Sequence, residues 1–257
     1  MMTSIATVLR AAPGFAELDT DCLEQIATGG QVAEVEAGEV LFRERAEPES
    51  LFVLLDGCIC LTGTTANASS AVIDILEPAS SFVLANVLMD EPYQVGAQTV
   101  RDSLLVRIPA GSVRAATSSQ PAAAMAMMRS MSAELASMMR QVVDLKVRIA
   151  AQRLGTYLLS QVREPTAAKA EFRLPVSKGL LASWLGCRAE NLSRAFLALR
   201  AYGVETHGSR VLLHDVARLL DYAGVVDPRP SAVTGRPTVE KIFGDAFRLR
   251  RKWSPGS

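Results

Sequence analysis

The sequence predicts an α+β chain with an N-terminal antiparallel β-barrel or roll, a long helix and a C-terminal winged helix-turn-helix. Three observations predict it. Short strand-like runs separated by turn residues fill the first hundred or so positions; a stretch free of Gly and internal Pro follows; two helical stretches around Gly186 then lead into a hairpin.

The elements follow in order. Ser4–Gln31 reads as short helical pieces, with Asp19 or Thr20 capping a helix through Asp21–Ala27. Strand-like runs come at Val32–Glu36, Val40–Phe42, Leu51–Leu55, Cys58–Thr62, Ala71–Leu76, Gly96–Thr99 and Leu104–Ile108. Gly38, Pro48, Asp56-Gly57, Asn67 and Pro78 punctuate them. Asp56-Gly57 predicts a hairpin, since Gly tolerates positive φ. From Pro121 to about Val143 a helix is expected. Met128, Leu135 and Val142 recur every seven residues, with Met131 and Met138 between them. Such an a/d seam suits a partner helix in a parallel coiled-coil dimer. The alternative is a helix buried against its own barrel. The methionines point to an adaptable contact.

Asp144 is placed to cap a helix over Leu145–Val162. Arg163–Lys169 reads as a loop, and Phe172–Pro175 as a short strand. In the helix-turn-helix, Leu180, Leu181, Trp184 and Leu185 form the apolar face of the first helix, and Gly186 permits the turn. The second helix, Ala189–Tyr202, has Leu192, Phe196 and Leu199 inward at helical spacing. A hairpin follows at Val204–His207 and Arg210–Leu213 around Gly208-Ser209, and a helix over Asp215–Tyr222 closes the fold. Beyond Val226 the chain is a tail whose end carries Arg248, Arg250, Arg251 and Lys252. The expected parts are residues 1–120 for the sensor roll, 121–143 for the dimerisation helix, 144–226 for the winged domain and 227–257 for a basic tail.

Composition narrows the function. In 257 residues, Lys plus Arg number 27 and Asp plus Glu number 27, so any nucleic-acid surface is local. The N-terminus lacks a secretory signal, and no apolar run approaches the ~20 residues that span a bilayer. Cys22, Cys58, Cys60 and Cys187 form no CxxC pair, which suits a soluble cytoplasmic protein with reduced thiols and no membrane partner. Cys58 and Cys60 read as two small buried residues, with a redox or metal role as the alternative. His and carboxylate clusters, G-x-S-x-G and a P-loop are missing, so an enzyme is not expected.

Glu190, Ser193 and Arg194 fall on one outward face of the second helix, with Leu197 or Ala198 beyond them. The early residues of such a helix meet base edges in the major groove of double-stranded DNA. Arg donates bidentately to guanine, a carboxylate accepts from cytosine, and Ser serves a base or a phosphate. Lys178, Arg188, Arg200 and Arg210 are available for phosphates. The competing explanation is a plain surface salt bridge between Glu190 and Arg194.

The segment LASWLGCRAENLSRAFLALRAYGV resembles the recognition region of the Crp/Fnr family of bacterial regulators. GEVLFRERAEPESLFVLLDGCICL resembles that family's cyclic-nucleotide-binding-like β-roll, and RVLLHDVARL its wing. The likeness covers about residues 10–222. It implies a homodimeric transcription regulator on a palindromic site, most often an activator working with RNA polymerase, with Asp144 at the hinge. Glu190, Ser193 and Arg194 match the family's E-x-x-S-R pattern, while Ala189 stands where the cyclic-AMP branch has a second Arg. That resembles the Fnr-type reader of TTGAT-like half-sites.

The signal differs from the family's usual ones. Ser80–Phe82 stands where a cyclic-AMP receptor has Gly-Glu, and Gln94-Val95-Gly96 where it has Arg-Ser-Ala. No cation remains for a cyclic phosphate, so no cyclic nucleotide is expected. Only Cys22 lies where an iron–sulfur sensor clusters its cysteines, so no iron–sulfur cluster is expected either. The ending ENLSRAF…LRAYGV is similar to nitric-oxide-responsive regulators of denitrification, some of which bind haem. Here His207 and His214 both belong to the wing, as solvent or DNA-backbone neighbours, so Cys, Met or Tyr93 would have to hold haem. A roll that serves only as a scaffold is the other reading.

Overall fold

The computed structural model describes residues 4–224 except 11, 13, 65–69, 163, 165 and 166. The turn expected at Asn67, part of the loop expected at 163–169, and the basic tail lie outside the described residues. The chain divides into two compact units between Glu134 and Leu135.

The first unit contains α1 (Ile5–Leu9), α2 (Thr20–Ala27), β1 (Gln31–Val35), β2 (Val40–Phe42), β3 (Ser50–Thr64), β4 (Ser70–Leu76), β5 (Ser80–Phe82), α3 (Leu84–Met89), β6 (Gly96–Pro109), α4 (Ala110–Ser119) and the start of α5 (Pro121–Val147). Asp19 is the cap of α2; its Oδ1 accepts from the Cys22 N–H at 2.8 Å. The antiparallel sheet runs β1-β6-β3-β4, with β2 on β6 and β5 on β3. Alternation along β3 separates two cores. Leu51, Val53 and Leu55 join Leu9, Phe15, Leu23 and Ile26 of the helical layer, where Ala123, Ala126 and Met127 of α5 also pack. Phe52 and Leu54 join Phe42, Phe82 and Tyr93 on the other face.

Two strand expectations are corrected. The runs Leu51–Leu55 and Cys58–Thr62 are one strand, β3, and Gly96–Thr99 and Leu104–Ile108 are one strand, β6. Asp56-Gly57 is therefore not a hairpin turn. Both halves of β3 bond to the same partner, and the register shifts at Asp56, Cys58 and Ile59. The Gly is a bulge, at φ +103°. There the Cys58 N–H donates to Ser103 Oγ at 3.2 Å, and Arg101 Nη2 donates to the Gly57 carbonyl at 2.7 Å. β5, α3 and α4 were not anticipated.

The second unit holds the rest of α5, α6 (Ala150–Ser160), β7 (Ala170–Arg173), α7 (Lys178–Trp184), α8 (Ala189–Leu199) with a 3-10 turn (Arg200–Tyr202), β8 (Val204–His207), β9 (Arg210–Leu213) and α9 (Val216–Ala223). The small antiparallel sheet is ordered β7-β9-β8, with β7 two residues earlier than expected. Asp144 is not a helix cap. Its carboxylate pairs with Arg148 Nε at 2.9 Å, and its carbonyl accepts the Arg148 N–H, so α5 continues to Val147. The break comes at Ile149, whose N–H donates to Gln152 Oε1 at 3.2 Å, and α6 is correspondingly shorter than the helix expected over 145–162.

Along α5, Met128, Leu135, Met138 and Val142 are exposed, whereas Met131 is half-buried against the first unit's own helical core. Met131 thus packs in part on its own unit. The same seven-residue spacing continues within α5 to exposed Leu145.

A Cβ on Gly57 would lie 2.1 Å from Ser103 Oγ and 2.5 Å from Ser103 Cα, at a φ that side chains avoid. Gly57→Ala is expected to destabilise the roll by at least about 2 kcal/mol, read as a lower urea midpoint; an unchanged midpoint would remove the bulge from this account.

Candidate nucleic-acid interface

The interface is built on a two-helix frame. Ser177 Oγ accepts from the Leu180 N–H at 3.3 Å and starts α7, which buries Leu181 and Ala182. Its end is a Schellman turn. The Gly186 N–H donates to the Ser183 carbonyl at 3.0 Å, and the Cys187 N–H to the Ala182 carbonyl at 2.9 Å. Gly186 is the left-handed residue this turn requires, at φ +63°.

Arg188, extended, is the N-cap residue of α8. Leu192, Ala195, Phe196 and Leu199 are buried, which fixes the helix's rotation. Glu190, Ser193 and Arg194 consequently share the exposed face, joined by Leu197 at 61% exposure. Ser193 Oγ donates back to the Ala189 carbonyl at 3.1 Å, leaving its lone pairs outward. Glu190 sits in the first turn, where the helix N-terminus favours a carboxylate. The Glu190–Arg194 salt bridge that a four-residue spacing permits is not formed among the described contacts, so both heads face solvent.

The expected phosphate contacts divide. Arg188 and Arg200 are exposed beside α8. Lys178 Nζ lies 5.0 Å from the centroid of the Phe196 ring, a cation–π contact that leans the side chain over α8. Arg210 is not free: its Nε donates to Glu171 Oε1 at 2.5 Å across the β7–β9 pair, because the register puts Arg173 opposite Arg210 and leaves Glu171 two residues along the same face. That contact holds Glu171 below the usual carboxylate range.

The wing carries a cluster that sequence reading missed. Glu205 places Oε1 2.8 Å from His207 Nε2 and Oε2 2.8 Å from His214 Nε2. The signal was present in part: residues two apart on a strand share a face. His214 joins only because its N–H is tied to the Gly203 carbonyl, closing the hairpin's far end.

The first unit does not fit a cyclic nucleotide. From Ser80 to Gly96 there is no Lys or Arg. Val83, at φ +61°, puts a buried β-branched side chain where strand β5 enters α3. Arg107 is engaged by Glu49 and Ser50, and Arg101 by Gly57. At α5, burial first and then the Asp74 charge push the Glu134 carboxyl up. Of the groups named for haem, Tyr93 is engaged and the sensor-unit cysteines are buried. The buried Tyr93 hydroxyl donates to the Ser50 carbonyl at 2.8 Å, and burial pushes the Cys58 thiol up to about 12. Cys22 and Cys60 are buried as well, and among the described residues no three Cys, His, Asp or Glu side chains gather as metal ligands.

Comparison with known proteins gives two matches along the chain. Residues 32–120 match the cyclic nucleotide-binding domain and residues 152–222 the Crp-like helix-turn-helix domain. The transcriptional activator protein FnrA of Stutzerimonas stutzeri is 26% identical over 210 residues, covering 80% of this chain and 85% of that protein. The transcriptional activator protein anr of Pseudomonas aeruginosa is likewise 26% identical over 210 residues, with the same coverage. A Ruegeria pomeroyi DSS-3 structure described as a candidate cyclic nucleotide binding protein is 27% identical, with a TM-score of 0.63 over 87% of this chain and 99% of that one. FixK2 from Bradyrhizobium japonicum, 18% identical with a TM-score of 0.66 over 75% of this chain and 96% of that one, shares the fold.

Hydrogen bonds from His214 and then His207 hold Glu205 below its ordinary value of 4.5. A depressed carboxylate contributes stability above the unfolded value and loses it as pH falls through the folded one. The Glu205 carboxyl resonance is therefore expected to titrate below 4.5 and to move up in His214→Gln; a titration unchanged by that substitution would contradict the clamp.

Proposed function

The chain belongs to the Crp/Fnr family of transcription regulators, and on that footing we propose that it is a homodimeric, sequence-specific DNA-binding activator acting in the cytoplasm. The observation that carries the reading is the exposed row Glu190, Ser193 and Arg194 on α8, backed by a buried apolar face. The family is one of regulators, not enzymes.

Arg194 reads guanine, Glu190 accepts from cytosine, and Ser193 offers its lone pairs to an adjacent donor. Ala189 is too short to add a further hydrogen bond, which supports a TTGAT-like half-site. Lys178, Arg188 and Arg200 supply backbone contacts, with Arg210 entering only if DNA displaces Glu171. Two copies pair through Met128, Leu135, Met138 and Val142, extended by Leu145, and present two recognition helices to a palindrome about one helical turn apart. Asp144, ion-paired to Arg148 in the last turns of α5, lies at the hinge. RNA polymerase is the partner through which activation proceeds.

The controlling signal is something other than cyclic AMP, in keeping with the absence of a cation from Ser80 to Gly96. Relatives named as transcriptional activators support the activator reading, and the denitrification-type branch is carried by the likeness of the ENLSRAF…LRAYGV ending alone. A second reading, an effector-independent regulator whose roll is a scaffold, is favoured by the packed Phe42, Phe52, Phe82 and Tyr93 rings, whose centroids lie 4.1–6.3 Å apart. The absorption spectrum of the purified protein and its DNA affinity without additives separate the two.

Arg194→Ala is expected to cost about 1–3 kcal/mol of specific binding in a gel-shift titration while leaving the dimer intact; unchanged affinity for the specific site would sink the assignment. Leu135→Glu places a charge in the proposed seam and is expected to shift the sedimentation profile to monomer with the same helical content. A variant that stays dimeric would refute the seam.

A further inference from the structure

We propose that Arg153, together with Arg148, is a positioning residue for DNA reading. It ties the turn between α7 and α8 to the joint where α5 ends and α6 begins. The inference rests on the DNA-binding reading above.

Every helix leaves its last carbonyls without intrahelical partners. Three helices of the second unit end at this joint: α5 at Val147, α7 at Trp184 and α9 at Ala223. Arg153, in the first turns of α6, takes two of those ends. Its Nε donates to the Leu185 carbonyl at 2.9 Å and its Nη1 to the Arg148 carbonyl at 2.6 Å. Arg148 takes the third. Its Nη1 donates to the Ala223 carbonyl and to Thr156 Oγ1, and its Nη2 donates to the Gly224 carbonyl at 3.1 Å. Its Nε meets Asp144 at 2.9 Å. A planar guanidinium supplies several donors in fixed directions, and the negative end of a helix favours a cation.

The consequence for reading follows from chain order. Leu185 precedes Gly186, the pivot of the turn, and Arg188 two residues later begins α8. Leu145 of α5 also reaches the turn, within 2.9 Å of where a Gly186 Cβ would stand. Releasing Leu185 frees the start of α8, the end that carries Glu190 and Arg194. Arg153 is half-buried behind the reading face, so it acts through this backbone and not on DNA. Lysine offers three donors from a single nitrogen without the fork, so it holds the two separated carbonyls less well than the guanidinium does.

The test uses the full chain and a duplex that the wild-type protein selects from random DNA. Affinities for that duplex and for an unrelated duplex are measured at one salt concentration. Arg153→Ala is expected to lower the specific-to-unrelated ratio at least tenfold with little change in unrelated binding, and Arg153→Lys to fall between. Val211→Ala, which thins the wing's core, serves as a control for lost stability and is expected to keep the ratio. Hydrogen exchange of the Gly186 and Cys187 amides is expected to speed up in the Arg153 variants only. If Arg153→Ala does not fold, Arg153→Lys and Arg153→Gln carry the same comparison. A ratio maintained in the Arg153 variants, or lost equally in Val211→Ala, overturns the proposal. Wild-type protein that selects no duplex, or Arg194→Ala that binds it undiminished, overturns the DNA-binding reading instead.

Discussion

An eleven-residue helix in a small domain can hide one face, and α8 spends that face on Leu192, Ala195, Phe196 and Leu199. Burying a side chain such as Leu or Phe contributes about 1.5–3 kcal/mol, several times what an exposed ion pair supplies. Apolar packing therefore decides the helix's rotation, and charge has no vote. Glu190, Ser193 and Arg194 face outward because their neighbours must face inward. The cap at Ser177 and the glycine turn at Gly186 set where that helix begins.

The first unit obeys a comparable rule on a sheet. β3 and β6 lie between the helical layer and the aromatic cluster, so alternate residues serve two cores. The bulge at Gly57 lets two long strands stay paired while their register changes. Tyr93 links the layers: its hydroxyl donates to the Ser50 carbonyl, and Arg107 donates to the Ser50 hydroxyl. Val83, where β5 enters α3, is buried in the same aromatic core.

The reading head was legible because its signals are local. Helical spacing placed Leu192, Phe196 and Leu199, and Gly186 marked the turn. The hairpin ends at Val204, His207, Arg210 and Leu213 agree with the strands formed. The misreadings at Asp56-Gly57 and Arg210 share a cause: each depended on a partner distant in sequence. Asp56-Gly57 has the composition of a hairpin, but its conformation is dictated by Ser103, and hairpins and bulges make the same demand on a glycine. Asp144 has the chemistry of a cap, yet Arg148 four residues on offers it a better partner than a backbone N–H. Met131 fits the seven-residue spacing and is also partly packed on the helical layer of its own unit. Arg210 looked available until Glu171, some forty positions earlier, was brought opposite by strand pairing.

The joint around Arg148 and Arg153 makes an uneven demand on sequence. Apart from Asp144 and Thr156, its acceptors are main-chain oxygens, at Arg148, Leu185, Ala223 and Gly224. Any amino acid supplies such an oxygen, so the grip itself makes no demand on the side chains at Leu185 and Ala223, whereas the two guanidinium groups have no substitute of equal reach. Tolerance at the joint should thus be lopsided, resting on two tethers more than on the side chains they hold, and target preference could be rewritten at Glu190, Ser193 and Arg194 while the chassis beneath them stays untouched.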